Sequence, residues 1–440
     1  MSIYLENKNM KNNTDISRRE FAKNIAFSTL GVSILGENIG NSAESKTFGK
    51  AKHAIIITLS GGISHVDSFD PKENPNVNGG ATPISTNVDG ITVSKYFPET
   101  AKHADKFTIL RGMTSKSGDH SGSSYTLKTS YNRSSLIVHP TIGPIKSFVQ
   151  GKKHPTLPDT VLINPAGDHP KQGYFDSSYT PLPIINPNEG LRFSKSTVNE
   201  TQMSNRMEIL KSLNNIFQKQ FNNPAISSYS TLYDETLKTL KSKDLEAFDL
   251  TKESKEKRES YGMDTFGQGC LLANRLINTG VSVVEVGLGS WDFHNDIADN
   301  METRSAILDK ALAALFVDLQ ASGKLSETLV VVESEFGRTP VYKENGVLSP
   351  FNLNRGRDHF PKAFSCLIGG CGLGGKVIGK TDDTGENVVD RQISFGELNS
   401  TIAHTLGIKS DLVWMTPVNS SSPNRPMNVS NGSKPILELI

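Results

Sequence analysis

Short runs of β-branched apolar residues, each followed by glycine or a polar residue, recur along this chain and constrain its fold more than any other feature. The first run covers residues 54–59 and opens into Ser60-Gly61-Gly62. Similar runs lie at 107–110, 160–163, 281–286, 328–332 and 364–368. Runs of this length and composition are typical of strands that are buried on both faces of a sheet.

Helical patterns lie between these runs. Long apolar residues recur at helical spacing in two segments, with Leu308, Leu312, Leu315 and Leu319 in the first and Met203, Met207, Leu210 and Phe217 in the second. Strands that alternate with helices predict an α/β fold with a central, mostly parallel sheet and helices on both faces. Sheets of this kind bind their ligands at the carboxyl ends of the strands.

The first 48 residues are set apart as a targeting segment. Residues 17–23 read Ser-Arg-Arg-Glu-Phe-Ala-Lys and resemble the core of a twin-arginine export signal. A mild apolar stretch at 25–35 follows, which is too short to span a bilayer. We therefore expect the twin-arginine machinery to export the chain to the periplasm or beyond, with no membrane span in the mature part. The alternative is a disordered tail with a chance Arg-Arg pair.

The remainder, residues 49–440, is expected to form one α/β domain. Residues from about 197 to 262 are polar and mixed in charge, which predicts a helical insertion or lid, and about 411–440 read as a loop-rich tail. With 47 Lys and Arg against 46 Asp and Glu, the net charge is +1. A general nucleic-acid binder usually has a basic excess, so nucleic acid is not an expected partner.

Carboxylates and imidazoles are concentrated just after the predicted strands. Five segments contain them, and their candidate residues are His65 and Asp67, His120, Asp292 and His294, Glu335 and Arg338, and Asp358 and His359. Five clusters at strand ends predict one shared cleft. Carboxylate oxygens with imidazole nitrogens suit a divalent metal such as Zn, Mn, Ca or Mg. The alternative for any single Asp-His pair is a hydrogen-bonded loop.

A metal in such a cleft could polarise a phosphoryl or sulfuryl oxygen and activate a water. Arg338 and Lys72 could then neutralise an anionic substrate, since arginine offers a bidentate fork. A second possibility is nucleophilic catalysis by Ser121, Ser123 or Ser124, which lie beside His120 as a potential base.

Seven motifs, in chain order, resemble the DUF1501 family of exported bacterial proteins: LSGGISHVDSFDPK, GDHSGSS, SWDFHND, VVVESEFGRTP, GRDHFP, GKVIGKTDD and TIAHTLGI. The resemblance covers about residues 53–410. The family is grouped with the alkaline phosphatase and sulfatase superfamily. The resemblance implies a central sheet between two helical layers and a metal-assisted, ester-hydrolase-like cleft.

The wider superfamily offers a comparison by position. Glu335 stands where that superfamily has a metal-binding Asp, and Phe336 stands where it has a metal-binding His. Asp292 and His294 resemble a ligand pair with shorter spacing, and His359 resembles the last ligand His. His120 occupies the position of the nucleophile. The resemblance leaves room for one metal with water as the nucleophile, or for phosphohistidine chemistry at His120.

These observations predict an exported, metal-dependent hydrolase of phosphate or sulfate esters, acting on an anionic small molecule or glycan. The expected metal ligands are Asp292, His294, Glu335, Asp358, His359 and Asp67, and the expected catalytic residues are His120, Arg338 and His65. One alternative is a non-catalytic cleft that binds sulfated or phosphorylated glycans. Another is a structural surface protein in which the clusters only brace loops.

Overall fold

The computed structural model describes residues 47–165, 168–192, 194, 197–221, 224–350, 352, 354–416 and 425–440. The export-signal prediction at residues 17–35 lies outside this part of the chain, and so do residues 417–424 of the predicted tail. Among the described residues, no helix has both the length and the hydropathy needed to cross a membrane.

An eight-stranded sheet forms the centre of the fold. Its strands are β1 His53–Leu59, β2 Phe107–Met113, β3 Thr160–Ile163, β4 Leu182–Ile184, β5 Val283–Leu288, β6 Thr328–Glu333, β7 Phe364–Gly369 and β8 Lys376–Ile378. Their order across the sheet is β8-β2-β7-β6-β1-β5-β3-β4. Six of the strands were predicted, and the two short edge strands β4 and β8 were not.

All neighbouring strands pair in parallel except β7, which runs antiparallel to both β2 and β6. The predicted α/β class with a mostly parallel central sheet is therefore confirmed. Five two-stranded ribbons lie outside the sheet: Pro83–Ser85 with Thr92–Ser94, Gly337–Arg338 with His359–Phe360, Lys343–Glu344 with Val347–Leu348, Lys380–Thr381 with Val388–Asp390, and Trp414–Met415 with Pro426–Met427.

Ten α-helices are described. They are α1 Pro75–Asn78, α2 Pro98–Ala101, α3 His120–Thr129, α4 Ile142–Gln150, α5 Glu200–Phe221, α6 Pro224–Lys241, α7 Lys255–Tyr261, α8 Thr265–Thr279, α9 Ile297–Ala321 and α10 Phe395–Thr405. Short 3-10 helices lie at Ala104–Lys106, Ser177–Tyr179, Pro187–Glu189, Lys243–Phe248, Leu250–Lys252, Lys324–Ser326 and Leu437–Leu439.

The sheet separates two hydrophobic cores because successive side chains of a strand face opposite sides. Ile55 and Ile57 of β1 belong to the core that α8 and α9 cover, whereas Ala54 and Ile56 belong to the core that α4 and α10 cover. The leucines that predicted α9 are fully buried in the first core. Helices thus cover both faces, as the alternation of elements predicted.

The second helical pattern has a different outcome. The helix α5 forms where it was predicted, but none of its residues is buried. Met203, Met207 and Leu210 are half-buried and Phe217 is exposed. The reason is that α5 pairs with α6, where Asn214 Nδ2 donates to Ser230 Oγ at 3.0 Å, and it does not cover the sheet.

Candidate functional site

Four of the predicted polar segments meet at the carboxyl ends of the parallel strands. Asp292 follows the carboxyl end of β5 and Glu335 follows that of β6, while His120 begins α3, which comes after β2. His359 precedes β7. Because β7 is antiparallel, the start of β7 lies at the same end of the sheet as the carboxyl end of β6. This arrangement is consistent with the prediction that these segments share one cleft.

The carboxylate of Asp292 lies at the centre of three imidazoles. Its Oδ1 is 2.9 Å from His294 Nε2 and 3.1 Å from His359 Nε2. Its Oδ2 is 3.3 Å from His120 Nε2. The Nε2 atoms of His294 and His359 are 3.3 Å apart. All four side chains are partly exposed, so the cluster can be reached from solvent.

The other ring nitrogen of each histidine faces a further acceptor. The Nδ1 contacts are His120 to Glu335 Oε1 at 2.8 Å, His294 to Asp358 Oδ1 at 3.0 Å, and His359 to the Gly118 carbonyl oxygen at 2.7 Å. Carboxylate and carbonyl oxygens only accept, so each neutral imidazole can donate either from Nδ1 to one of these oxygens or from Nε2 towards Asp292. When a neutral imidazole has its proton on Nδ1, its Nε2 lone pair is directed towards the Asp292 carboxylate.

In that tautomer the three Nε2 atoms and the Asp292 oxygens are all acceptors, and they repel one another unless a cation or protons lie between them. Ligands held 2.0–2.1 Å from a tetrahedral zinc ion are about 3.3 Å from one another. The observed separations match this spacing, and His120, Asp292 and His359 form a group able to hold a metal ion. A histidine that ligates a metal usually donates its other N–H to a carboxylate or carbonyl, and each Nδ1 here lies within hydrogen-bond distance of such an oxygen.

Arg338 is fully buried, and its donors are directed at the protein interior. Its Nε donates to the Gly62 carbonyl at 2.9 Å, its Nη1 to the Arg357 carbonyl at 2.9 Å, and its Nη2 to Asp292 and the Gly61 carbonyl. Nη1 is also 3.5 Å from His294 Nε2. These contacts occupy the guanidinium fork that was expected to hold an anionic substrate.

The charges around the cluster shift two pKa values. Burial alone would raise the pKa of the Asp292 carboxyl, but the Arg338 guanidinium and the neighbouring imidazoles lower it to about 2. The hydrogen bond to Glu335 raises the pKa of His120 above its usual value. Asp292 is therefore ionised at neutral pH and available as a ligand.

Glu335, expected as a ligand, lies behind His120. Its Oε1 accepts from His120 Nδ1 and from the Gly61 backbone N–H at 2.8 Å. Gly61 has φ +116°, and a Cβ there would be 2.6 Å from the backbone nitrogens of Trp291 and Asp292. Only glycine permits this close approach between the end of β1 and the loop that carries Asp292. The Gly61-Gly62 pair after β1 is the sequence signal for this close approach.

Three further candidates lie outside the cluster. His65 is fully buried, and its Nε2 contacts the Gly385 carbonyl oxygen at 2.9 Å. Asp67 forms a buried ion pair with Arg357 at 2.7 Å. Lys72 pairs with Asp70 at 3.0 Å. The structure therefore places these side chains in contacts that brace the loop after β1.

The sequence as a whole matches one family model. The model of DUF1501, described as a protein of unknown function, matches residues 51–440. This chain belongs to the DUF1501 family. The match confirms the resemblance inferred from the seven motifs. No curated protein matches this DUF1501 chain at a significant level of sequence similarity.

Solved structures similar to this DUF1501 protein include three enzymes. The lipoteichoic acid synthase LtaP from Listeria monocytogenes is 11% identical, with a TM-score of 0.38, and the match covers 94% of this chain and 92% of that chain. The PsFucS1 sulfatase from Pseudoalteromonas sp. is 13% identical, with a TM-score of 0.39 and coverage of 89% and 72%. The alkaline phosphatase from the Antarctic bacterium TAB5 is 12% identical, with a TM-score of 0.33 and coverage of 75% and 94%.

Proposed function

We propose that this DUF1501 protein is an exported, metal-dependent hydrolase of phosphate or sulfate esters. The observation that carries the proposal is the convergence of three imidazole Nε2 atoms on the Asp292 carboxylate, with each Nδ1 within hydrogen-bond distance of another oxygen. When the Nδ1 atoms carry the protons, the Nε2 lone pairs and the carboxylate repel one another, and a divalent cation bound between them would remove that repulsion. The ester class rests on the family resemblance carried by the motifs.

The proposed ligands are Asp292, His120, His294 and His359. Three nitrogens and one carboxylate favour zinc or manganese over calcium or magnesium, since the latter two prefer oxygen ligands. A metal bound there would polarise a phosphoryl or sulfuryl oxygen and activate a water. His120 then serves as a ligand, so water is the proposed nucleophile.

The surrounding residues have supporting roles in this proposal. Glu335 and Asp358 accept the Nδ1 protons and hold His120 and His294 in the required tautomer. Arg338 keeps the Asp292 carboxylate in place and ionised.

Metal analysis combined with turnover tests the proposal. Purified protein should contain zinc or manganese by plasma mass spectrometry and should hydrolyse 4-nitrophenyl phosphate or 4-nitrophenyl sulfate. His359→Ala should lose most of both metal and activity. The matched control is His404→Ala, because His404 lies on α10, away from the cluster. A wild-type protein that binds neither metal, or a His359→Ala variant that keeps full metal content, would refute the assignment.

The same assays distinguish the proposed hydrolase from the non-catalytic alternative. That alternative is motivated by His120, which stands at the position that resembles the nucleophile. In that case sulfated or phosphorylated oligosaccharides bind, His359→Ala weakens the binding, and neither aryl ester is hydrolysed.

Export is tested separately. Replacing both Arg18 and Arg19 by lysine should retain the protein inside the cell, and cell fractionation with immunoblotting would measure this. Unchanged export of that variant would contradict the twin-arginine route.

A further inference from the structure

A cavity of about 700 Å³ lies at the amino ends of β3 and β4, beside the helix α6. Thr160 and Leu182, the first residues of these two strands, both line it. Its walls are largely apolar and include Pro155, Leu157, Tyr179, Leu191, Leu232 and Leu240. This size and lining are typical of small-molecule sites.

The charged side chains that reach solvent around this cavity are mainly cationic. They are Lys152, Arg192, Lys238 and Glu235. Glu235 forms an ion pair with Lys152, so these two charges largely cancel. The charge that remains at the solvent side of the cavity is therefore positive, and Arg192 and Lys238 supply it.

These two cations still have donors available for a ligand. Arg192 donates from Nε to Glu189 at 2.7 Å, and its two terminal nitrogens have no partner among the described residues. Lys238 has neither a hydrogen-bond partner nor an ion-pair partner in the same part of the chain. Both side chains are long and exposed, so their charged ends can lie over an apolar cavity and remain in contact with water. The free side of a guanidinium can hold a carboxylate through two parallel hydrogen bonds.

Asp159 is a buried carboxylate that also borders the cavity, but its contacts are with the protein. Only 5% of its surface is exposed. Its Oδ1 accepts from the Lys153 backbone N–H at 3.0 Å, and the buried cation Lys146 interacts with it electrostatically. The charge of Asp159 is therefore balanced inside the protein and does not cancel that of Arg192 and Lys238.

Two hydroxyl groups add neutral donors to the lining. Ser178 and Thr180 lie on the segment that leads into β4, and both line the cavity. Both residues are half-buried, and neither hydroxyl has a hydrogen-bond partner within the described ranges. Because a hydroxyl can donate to a carboxylate oxygen, these groups can help to bind an anionic head group.

We infer that this cavity binds a small amphipathic carboxylate. Its apolar body contacts the leucine and proline walls, and its carboxylate accepts from the Arg192 guanidinium and the Lys238 ammonium. Charge complementarity selects this anion over an alcohol or an amine with the same apolar body. The candidate metal centre lies at the carboxyl ends of the strands, whereas this cavity lies at the amino ends of β3 and β4. Each of the two proposals can therefore fail without the other.

Isothermal titration calorimetry with three matched probes tests the inference. The probes are 4-phenylbutyrate, 4-phenylbutan-1-ol and 4-phenylbutylamine, which share one apolar body and differ in charge. The wild-type full chain should bind one equivalent of the carboxylate. It should bind the carboxylate at least about fivefold more tightly than the alcohol, because a bidentate arginine pair adds to an exposed lysine pair. The amine should bind most weakly of the three.

A double variant tests the two cations. Arg192→Met combined with Lys238→Met removes both charges and keeps most of the length of each side chain. It should lower the affinity for the carboxylate to that for the alcohol and leave the affinity for the alcohol unchanged. Lys211→Met is the matched control, because Lys211 is exposed on α5 and is not part of the cavity lining.

Two further variants locate the bound probe. Leu232→Trp fills the cavity from α6 and should abolish binding of the carboxylate, whereas Leu213→Trp on the exposed face of α5 should not. His359→Ala should leave this binding unchanged, which separates the cavity from a carboxylate bound to a metal ion at the other end of the sheet. Circular dichroism would check that each variant is folded.

The inference is overturned by any of three results. They are a carboxylate that binds no more tightly than the alcohol, binding that survives Leu232→Trp, and binding that is lost in His359→Ala. The comparison of the three probes on wild-type protein decides the question even if Leu232→Trp does not fold.

Discussion

Lys128 of α3 holds three strands of the sheet together through a buried network of charges. Its ammonium is 2.8 Å from Glu285 on β5 and 2.8 Å from Glu333 on β6, and it also donates to Thr58 on β1. The side chains of Lys128, Glu285 and Glu333 are 8%, 6% and 3% exposed. These three strands lead into the segments that form the candidate metal centre. We predict that Lys128→Met, which keeps the length of the side chain but removes its charge, strongly destabilises the protein.

The magnitude follows from what the substitution leaves behind. Breaking a buried ion pair by removing one partner costs about 3–5 kcal/mol, because the other charge stays buried without compensation. Here two carboxylates lose the same cation, and His169, at 2.9 Å from Glu285, still partners only one of them. We therefore expect a loss of at least about 3 kcal/mol, which is a large part of the 5–15 kcal/mol that is typical of a folded domain.

Urea unfolding followed by circular dichroism measures this loss. Lys102→Met is the matched control, because the Lys102–Glu99 pair at 2.6 Å is about half exposed and should contribute less than about 1 kcal/mol. Adding Glu285→Gln and Glu333→Gln to Lys128→Met removes the uncompensated charges and should restore much of the lost stability. If Lys128→Met costs no more than the control, the network does not have the energetic role argued here.

Three further predictions test the site and the fold. Glu335→Gln should weaken zinc binding roughly 10–100-fold in a chelator competition, because the carboxylate that orients His120 is lost, and unchanged affinity would contradict that role. Gly61→Ala should lower both urea stability and zinc affinity, since its Cβ would be 2.6 Å from the backbone of the loop that carries Asp292; a variant with wild-type values would show that the loop can move freely. Burial lowers the pKa of His139 from 6.5 to about 4, so stability should be lost as the pH falls through that range, by roughly 2–3 kcal/mol. His139→Gln should remove this part of the acid sensitivity in urea unfolding at pH 7 and 4.5, and a parallel decline of both proteins would refute it.

The central strands could be predicted from the sequence because they are short, β-branched and buried on both faces. Apolar composition was sufficient for β1 and β6, in which every residue is buried. The edge strands β4 and β8 have only three residues each. Because β4 contains Pro183 and β8 contains Lys376, neither sequence shows a strand pattern. Their pairing depends on neighbours that are distant in sequence, which a local pattern cannot reveal.

The residue types of the site were also predictable, but their roles depended on geometry. Asp292, His294 and His359 lie in the predicted cluster, where His120 joins them as a potential ligand. The sequence does not show whether Arg338 and Glu335 contact substrate or metal directly or only support other side chains. The reason is that the sequence does not show which of their atoms already have partners. Asp67 illustrates the same limit, since only the structure shows its buried ion pair with Arg357.

The direction of β7 explains why His359 reaches the cluster. In a fully parallel sheet, the segment before a strand lies at the amino ends of the strands. His359 would then be at the opposite end of the sheet from Asp292 and Glu335. Because β7 runs antiparallel between β2 and β6, its first residue lies beside the carboxyl end of β6. The ribbon that pairs Arg338 with His359 then brings that histidine to 3.1 Å from Asp292. A single reversed strand thus adds one imidazole to a site otherwise built from segments that follow parallel strands.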